Sequence, residues 1–438
     1  MKPARLPNDL FQAGSPIGSQ LSRPWMRWAV FFFLVASLFG LLMRYYFVGG
    51  ASILEYKHVL HAHSHSALLG WGFLLVSGVL VFTFVKDPFR KKTYRILLLL
   101  LALANIGMMS SFPFQGYGLY SIMFSTLHLV AGYVFAYHFL KDLSKNKSST
   151  ATRLVRCSIC WMLLSSMGLW AIAPIGTMLG KLHPLYYLSV QWFLHFQING
   201  WFVYSMLGIL AYYLEIQGKA IPLSPRKEMT LHVSLFLTYA LVVFWSTGKQ
   251  EMLYFNSMGV LLQAVAYYWF LRPVQIHLFP RKKTEWTDKI LLLGVLSLVA
   301  KGIIQIALVI PEVATVSLSI RMYVIGFIHL VMMGAVTFGM GAYALKQRWL
   351  ETGKFSVMGW NILAVAFILT EVLLLGQGTL LWGKMGFIPY YHLFLFLSSI
   401  LFPIALLLIL VELAHRKHHV KNLLNIRVPK TQIQTNTL

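Results

Sequence analysis

The sequence predicts an all-α integral membrane protein with about twelve transmembrane helices. Three observations lead to this fold class. The chain of 438 residues is 58% hydrophobic and 11% charged, and its mean hydropathy of +0.68 is too high for a soluble protein. Apolar segments of roughly 20 residues, the length that crosses a bilayer, recur along the chain. Basic residues are concentrated in alternate loops between these segments.

The apolar segments follow one another with short loops, and no soluble core is visible between them. In chain order they cover 28–48, 56–85, 96–113, 119–140, 154–177, 188–214, 230–247, 252–271, 289–311, 322–345, 356–382 and 388–413. We therefore expect one polytopic domain over 1–415, with a cytoplasmic N-terminal segment at 1–27. The basic, polar tail at 416–438 has no apolar pattern and is predicted to be disordered.

The charge distribution predicts the orientation. If both termini are cytoplasmic and the spans alternate, six of the 37 Lys and Arg residues are external, Lys301 lies inside a span, and all others are cytoplasmic. This strong positive-inside bias predicts that orientation. The formal net charge of +24 therefore indicates orientation rather than a nucleic-acid partner. The expected surroundings are the lipid bilayer of the cell inner (cytoplasmic) membrane.

Histidines recur at one depth in four of the predicted spans. The second span contains three of them and the fourth, sixth and tenth contain one each: His61, His63, His65, His128, His195 and His329. At ~1.5 Å per helical residue, all lie roughly 10–13 Å below the outer surface. An intramembrane imidazole is a functional-site candidate by default. Several at one level predict a bound prosthetic group, whereas the alternative is hydrogen bonding between packed helices.

The second span offers two different faces. His58, His61 and His65 are spaced by three and four residues and share one stripe, while His63 points elsewhere, with Gly70 beneath it. Both faces are suitable for ligands, and the sequence does not choose between them.

Three spans carry a resemblance to a known family. Residues 63–71 read HSHSALLGW, an H-x-H-x-x-x-x-G-W pattern; 191–215 read QWFLHFQINGWFVYSMLGILAYYLE, and 325–343 read IGFIHLVMMGAVTFGMGAY. These segments resemble the catalytic subunit of haem–copper oxidases, most closely the C-family oxidases and the nitric oxide reductases. Residues 61–73 are also similar to the histidine-rich second span of the NnrS family, twelve-span proteins linked to nitric-oxide stress.

The resemblance implies a subunit I-like bundle that holds one low-spin haem b. His329 falls at the position of one axial ligand, and its partner would be one of the second-span histidines. Arg321, at the outer end of the tenth span, would either pair with a propionate or anchor the helix at the membrane interface. His195 falls where the family binds copper, and His128 lies at a similar depth as a further candidate metal ligand.

Two departures from the family argue against oxygen reduction. Phe327 occupies the position of the high-spin haem ligand. The seventh span, LHVSLFLTYALVVFWSTG, lacks the family's adjacent copper histidines and has only His232, near its cytoplasmic end. We therefore expect electron transfer, or a response to nitric oxide or haem, rather than dioxygen reduction. Whether the chain is an enzyme stays open, as do an electron donor or other membrane subunits as partners.

Other interpretations remain. Imidazole also binds zinc, copper and nickel, so the chain could be a histidine-lined transporter or metal-handling permease, or a helical subunit with degenerate sites. Cys157 and Cys160 form a CxxC without a visible partner pair, and we interpret them as structural. Lys301 and Glu371 are the deepest charges, and each is either part of a proton relay or structural.

Overall fold

The structure is a computed structural model that describes residues 16–50, 53–278 and 285–424. Every regular element in these ranges is a helix, which confirms the predicted all-α class. The predicted N-terminal segment is described only from residue 16, and the predicted C-terminal tail only to 424. The other residues of both segments lie outside the described ranges.

Long helices account for most of the described chain, and we label them α1 to α12. They are α1 (Pro16–Tyr45), α2 (Tyr56–Phe84), α3 (Lys91–Gln115), α4 (Leu119–Leu143), α5 (Thr150–Met178), α6 (184–215), α7 (Pro225–Thr247), α8 (Glu251–Leu278), α9 (Trp286–Ala307), α10 (Arg321–Lys346), α11 (Lys354–Trp382) and α12 (Tyr391–Leu424). A short helix, Pro311–Ser319, precedes α10. α1 begins before the predicted start at 28, and α12 continues past the predicted end at 413.

Ten of these helices in the described chain are both long enough and apolar enough to cross a membrane. α6 and α8 have the length but are less apolar. Their polar residues, among them Gln197, Asn199, Asn256 and Gln263, are buried inside the bundle rather than exposed to lipid. The chain is therefore a multi-pass membrane protein in which two helices turn a polar face inward.

Local sequence sets several helix ends. At the start of α5, the Ser149 side chain accepts a hydrogen bond from the backbone N–H of Thr152, which satisfies a free donor of the first turn. Pro225 opens α7 at a position where its missing N–H is not needed. Gly248 ends α7 in the left-handed region at φ 71°, a conformation that glycine adopts without strain.

Three helices, spaced four apart in the chain, form the centre of the bundle: α2, α6 and α10. Each is interrupted by a π-helical segment, at Ser66–Gly72, Phe196–Phe202 and Leu330–Phe338. All residues of Phe196–Phe202 are buried, as are all of Phe73–Phe84 in the second half of α2. Since π segments are rare and are found mostly at functional sites, three in equivalent helices mark a repeated central feature.

The three π segments share a sequence repeat, H-x-x-x-x-G. The pairs are His65 with Gly70, His195 with Gly200, and His329 with Gly334. In each case the glycine lies against the helix that comes immediately before its own helix in the chain. A Cβ there would lie 2.7 Å from Phe32 of α1, 2.6 Å from Trp161 of α5 or 2.6 Å from Ser297 of α9. Each of the three central helices thus packs closely, at this glycine, on the helix before it in the chain.

The three π segments also meet one another at the centre. A Cβ on Gly72 of α2 would lie 2.8 Å from Met332 of α10 and 3.1 Å from Phe202 of α6. Trp71 Nε1 donates a 2.8 Å hydrogen bond to Thr337 Oγ1 in α10. These contacts fix the relative height of α2 and α10, and so the height of their histidines.

Ion pairs connect the helices at the end of the bundle where α4 ends and α5 begins. Arg90 contacts Asp142 at 2.8 Å, Arg153 contacts Glu228 at 2.5 Å, and Lys346 contacts Asp288 at 2.8 Å. Each pair joins two different helices or their connecting loops. The sequence has only 13 acidic residues, and these pairings neutralise part of the basic excess on this side.

Candidate functional site

His63 of α2 and His329 of α10 lie in one region of the bundle, near enough that a proton on one imidazole would disfavour a proton on the other. Both rings are half-buried. The charge of Arg44, near the end of α1, acts on both imidazoles. Among the predicted ligand candidates, these two histidines lie on different helices but in one region of the bundle. They also have the same cation, Arg44, nearby.

His63 has a defined tautomer. Its Nδ1 lies 2.8 Å from the carbonyl oxygen of Ala36 on α1. Because a carbonyl only accepts, Nδ1 carries the proton and donates it, and the lone pair of Nε2 stays free for a ligand bond. Gly40 makes room for the ring, since a Cβ there would lie 3.0 Å from Cε1 of His63. The carbonyl on α1 therefore orients this imidazole. In metal sites, a ligating histidine is oriented in the same way by the acceptor of its second ring N–H.

His329 is less constrained. Its Nδ1 is enclosed and has no hydrogen-bond partner among the described residues. Since the ring as a whole is half-buried, its accessible edge is the other one. Long side chains on a helix lean toward its N-terminus, so the ring lies over the turn that contains Gly326.

Two arginines stand at the same end of α1 and α10. Arg44 lies in the last turn of α1, and Arg321 is the first residue of α10. The two guanidinium groups are near enough to repel each other. The phenol groups of Tyr56 and Tyr391 are also near enough to Arg44 to affect its charge. The sequence analysis predicted Arg321 as an anion partner. Arg44, which it counted only among the external cations, is the arginine that acts on both imidazoles.

His61 and His65 lie on another face of α2, as their spacing predicts. His65 packs on Phe112 with ring centroids 4.2 Å apart, and His61 packs on Tyr117 at 4.5 Å. The Nδ1 of His65 lies 2.9 Å from the carbonyl oxygen of His61. This stripe therefore faces the end of α3 and the loop to α4, whereas His63 faces α1.

His195 and His128 are held by separate contacts. The Nε2 of His195 lies 2.9 Å from the carbonyl oxygen of Leu235 on α7, and its ring packs on Tyr239 at 5.5 Å. His128 packs edge-on against Phe73 at 4.9 Å. Throughout the described ranges, no group of three or more His, Cys, Asp or Glu side chains is placed to hold a metal ion. The copper site that the resemblance implied stays a prediction.

Lys301 occupies the other side of α10. The side chain is fully buried on α9, and its Nζ donates to Tyr267 Oη at 3.2 Å and to Gln305 Oε1. The ammonium also lies 5.9 Å from the ring centroid of Phe327, the residue that the predicted resemblance places at a high-spin haem position. The buried amino group of Lys301, whose hydrogen-bond partners are neutral, thus lies beside this position. In its protonated form it would disfavour a proton on His195.

The CxxC has a neighbour that sequence spacing did not reveal. The Sγ of Cys157 lies 3.5 Å from Nε2 of His232 on α7, and Nδ1 of His232 lies 3.0 Å from Tyr204 Oη on α6. The ring of His232 stacks on Tyr204 at 5.3 Å. His232, which the sequence places only near the cytoplasmic end of its span, has a half-buried ring that bridges α5 and α6. Cys160 is exposed, and both thiols are free.

Glu371 is the second deep charge that the sequence singled out. Its side chain is buried on α11, with an exposed fraction of 7%. Neither carboxyl oxygen has a hydrogen-bond partner in the part of the chain that the structure describes. A buried polar group left in this state costs roughly 1–3 kcal/mol, and more if it is charged.

The residues around His63 and His329 fit a haem better than a lone metal ion. A six-coordinate haem takes one imidazole nitrogen on each face, and its propionates need cations. Two helices supply one imidazole each, the tautomer of His63 leaves Nε2 free, and Arg44 and Arg321 lie at one end. A bare divalent ion would require further donor side chains. The enclosed, unpartnered Nδ1 of His329 is what remains when its ligand bond uses the other nitrogen.

Neither a scan against models of known protein families nor a search of curated proteins finds a match to this chain. The assignment of a function therefore depends on the geometry of the site.

Proposed function

We propose that this chain is a membrane protein of the haem–copper oxidase type that holds one low-spin haem b between His63 and His329. Bound there, the haem would supply one-electron redox chemistry. The protein would transfer electrons, or respond to nitric oxide or haem, and take its electrons from a donor or another membrane subunit. We further propose twelve spans with both termini in the cytoplasm and a location in the cell inner membrane.

One observation carries the haem proposal. Among the second-span histidines, His63 has its Nδ1 fixed by a carbonyl of a different helix, α1, and lies in the same region as His329 of α10. A histidine with only a packing role would need no more than the hydrogen bond from Nδ1 to the carbonyl. Because that bond uses Nδ1, Nε2 of His63 remains free for a ligand bond. The cations at the end of α1 and α10 are a second, separate match to haem, because propionates are anionic.

The surroundings of Phe327 support a role other than oxygen reduction. The ring cannot ligate iron, and Nζ of the buried Lys301 lies 5.9 Å from its centroid. A lysine amine in its protonated form at this position would repel a second metal centre. His195 uses Nε2 to donate to the carbonyl oxygen of Leu235, and within the described ranges it belongs to no cluster of three or more side chains that could hold a metal ion.

An absorption spectrum of the purified protein tests the haem proposal. The reduced form should show a sharp alpha band of low-spin type, and haem extraction should give about one haem b per chain. A colourless protein would contradict the proposal. Metal analysis of the same sample distinguishes the permease alternative, which predicts zinc, copper or nickel without haem iron.

Reporter fusions test the topology separately. Fusions after Lys86, Lys147 and Arg348 should report a cytoplasmic position, and fusions near Gln115 and Lys249 an external one. An inverted pattern at any of these sites would overturn the alternating arrangement.

A further inference from the structure

Two enclosed polar groups near α10 have no hydrogen-bond partner among the residues that the structure describes, and each could satisfy the other. One is the carboxyl group of Glu371 on α11, in which both oxygens are unpartnered. The other is Nδ1 of His329. Nearly all buried polar groups in native proteins are hydrogen-bonded. Two unsatisfied groups on adjacent helices therefore require an explanation.

Gly326 locates the two groups relative to each other. This glycine lies one turn before His329 on α10, in the region that the imidazole covers. A Cβ on Gly326 would lie 3.5 Å from Oε2 of Glu371. The carboxyl group thus reaches the surface of α10 next to the turn that carries the imidazole, and the glycine leaves it the space to do so.

The chemistry of the two groups is complementary. Ligation of iron through Nε2 leaves Nδ1 of His329 as an N–H donor to the carboxyl group of Glu371, and this hydrogen bond favours the carboxylate form, the strongest acceptor that a protein offers. Histidines that bind metals almost always donate this second N–H to a carboxylate, a backbone carbonyl or water. For His63 the acceptor is the carbonyl of Ala36, whereas His329 has no such carbonyl.

We propose that Glu371 is the positioning residue of His329 and accepts a hydrogen bond from its Nδ1–H when the haem is bound, an inference that rests on the proposed function. The two axial imidazoles then differ. His63 donates to a neutral carbonyl and His329 to a carboxylate, which makes His329 the stronger electron donor to iron. This asymmetry favours the ferric state and lowers the midpoint potential of the haem.

Redox titration of wild-type protein and Glu371→Gln tests the inference. Glutamine keeps the shape of the side chain and removes its charge, so a packing role predicts no change. Loss of the carboxylate should favour the reduced haem by about tenfold, which is a rise of 59 mV for a one-electron couple. Thr370→Val is the matched control, because the Thr370 hydroxyl bonds only to carbonyls of its own helix.

A second variant provides the same test without changing the acid. Gly326→Ala adds a methyl group in van der Waals contact with Oε2 of Glu371, at 3.5 Å, and only 3.1 Å from Cδ2 of Leu375, so Leu375 must shift and the space open to the carboxyl group narrows. We expect a rise in potential that is smaller than for Glu371→Gln. Gly376→Ala on α11 is the control, because its Cβ would meet nothing within 4 Å. If Glu371→Gln does not reach the membrane, this pair decides.

The outcomes separate the two proposals. A haem-containing protein whose potential is unchanged in both Glu371→Gln and Gly326→Ala would overturn the role of Glu371 and leave the haem site standing. Wild-type protein without a haem alpha band would overturn both. A tenfold shift in the glutamine variant, with both controls unchanged, supports the inference.

Discussion

The two sides of α10 contain polar groups of similar depth but opposite character. Toward α2, His329 shares its region with His63, whose Nε2 is free. Toward α9, Phe327 faces the buried ammonium of Lys301, which is bonded to Tyr267 and Gln305. The first side has unused ligand atoms, and the second has a cation whose hydrogen bonds are made within the protein. Depth alone therefore does not define a ligand site; the bonding of each nitrogen does.

The sharpest test of this contrast compares His329→Ala with His195→Ala. The first should abolish the low-spin alpha band, because one axial ligand is lost. The second should leave the band intact, since His195 bonds to the Leu235 backbone. Both variants are compared by reduced-minus-oxidised spectra at equal protein content. Retention of the band in His329→Ala would remove His329 as a ligand.

Within α2, the comparison separates the two faces of one helix. His63→Ala should lose most of the bound haem, whereas His61→Ala and His65→Ala should retain it, because their rings pack on Phe112 and Tyr117. Haem extracted per chain is the measurement. If His65→Ala loses haem and His63→Ala does not, the ligand face is the stripe that we assign to packing.

A smaller effect is expected at the repeated glycines. Gly70→Ala places a methyl group 2.7 Å from Phe32, and such overpacking destabilises by about 1–3 kcal/mol. In Gly132→Ala the nearest atoms, on Phe73, are 3.9 Å away, so better helix propensity should stabilise by about 0.5–1 kcal/mol. Thermal unfolding in detergent measures both. Equal behaviour of the two variants would argue against close packing of α1 and α2 at Gly70.

The smallest expected effect concerns oxygen. With an artificial electron donor, purified protein should consume no dioxygen above the protein-free rate, and His195→Ala should not differ from wild type. Oxygen turnover that His195→Ala removes would contradict our interpretation of the Lys301 side. Nitric oxide consumption in the same assay would place the function among nitric-oxide-handling proteins.

The helical class was predictable because hydrophobicity and span length depend on composition alone. Helix ends were less so: α1 begins at Pro16 because Trp25 and Met26 are buried in the bundle, which the apolar run does not show. The π segments were not predicted, although H-x-x-x-x-G occurs in all three central helices. That repeat was the available signal, and its glycines acquire meaning only from the neighbouring helices.

The site was predictable in depth but not in direction. Residue spacing placed His61, His63 and His65 on two faces, yet the choice of His63 depends on the backbone carbonyl of Ala36, about 27 residues earlier on another helix. A backbone atom leaves no mark in the sequence. The same limit applies to Cys157 and His232, which meet only through the packing of α5 against α7.

The π segments also divide each central helix into two parts that need not share a phase. A π turn contains about one residue more than an α turn, which is roughly 100° of rotation. The histidine side chain in each helix can therefore point in a new direction while the glycine beyond it keeps its contact. Likewise, the glycine can change its contact while the histidine keeps its direction. Deleting one residue within Ser66–Gly72 would join the two parts into a single register and turn one of these faces away from its neighbour.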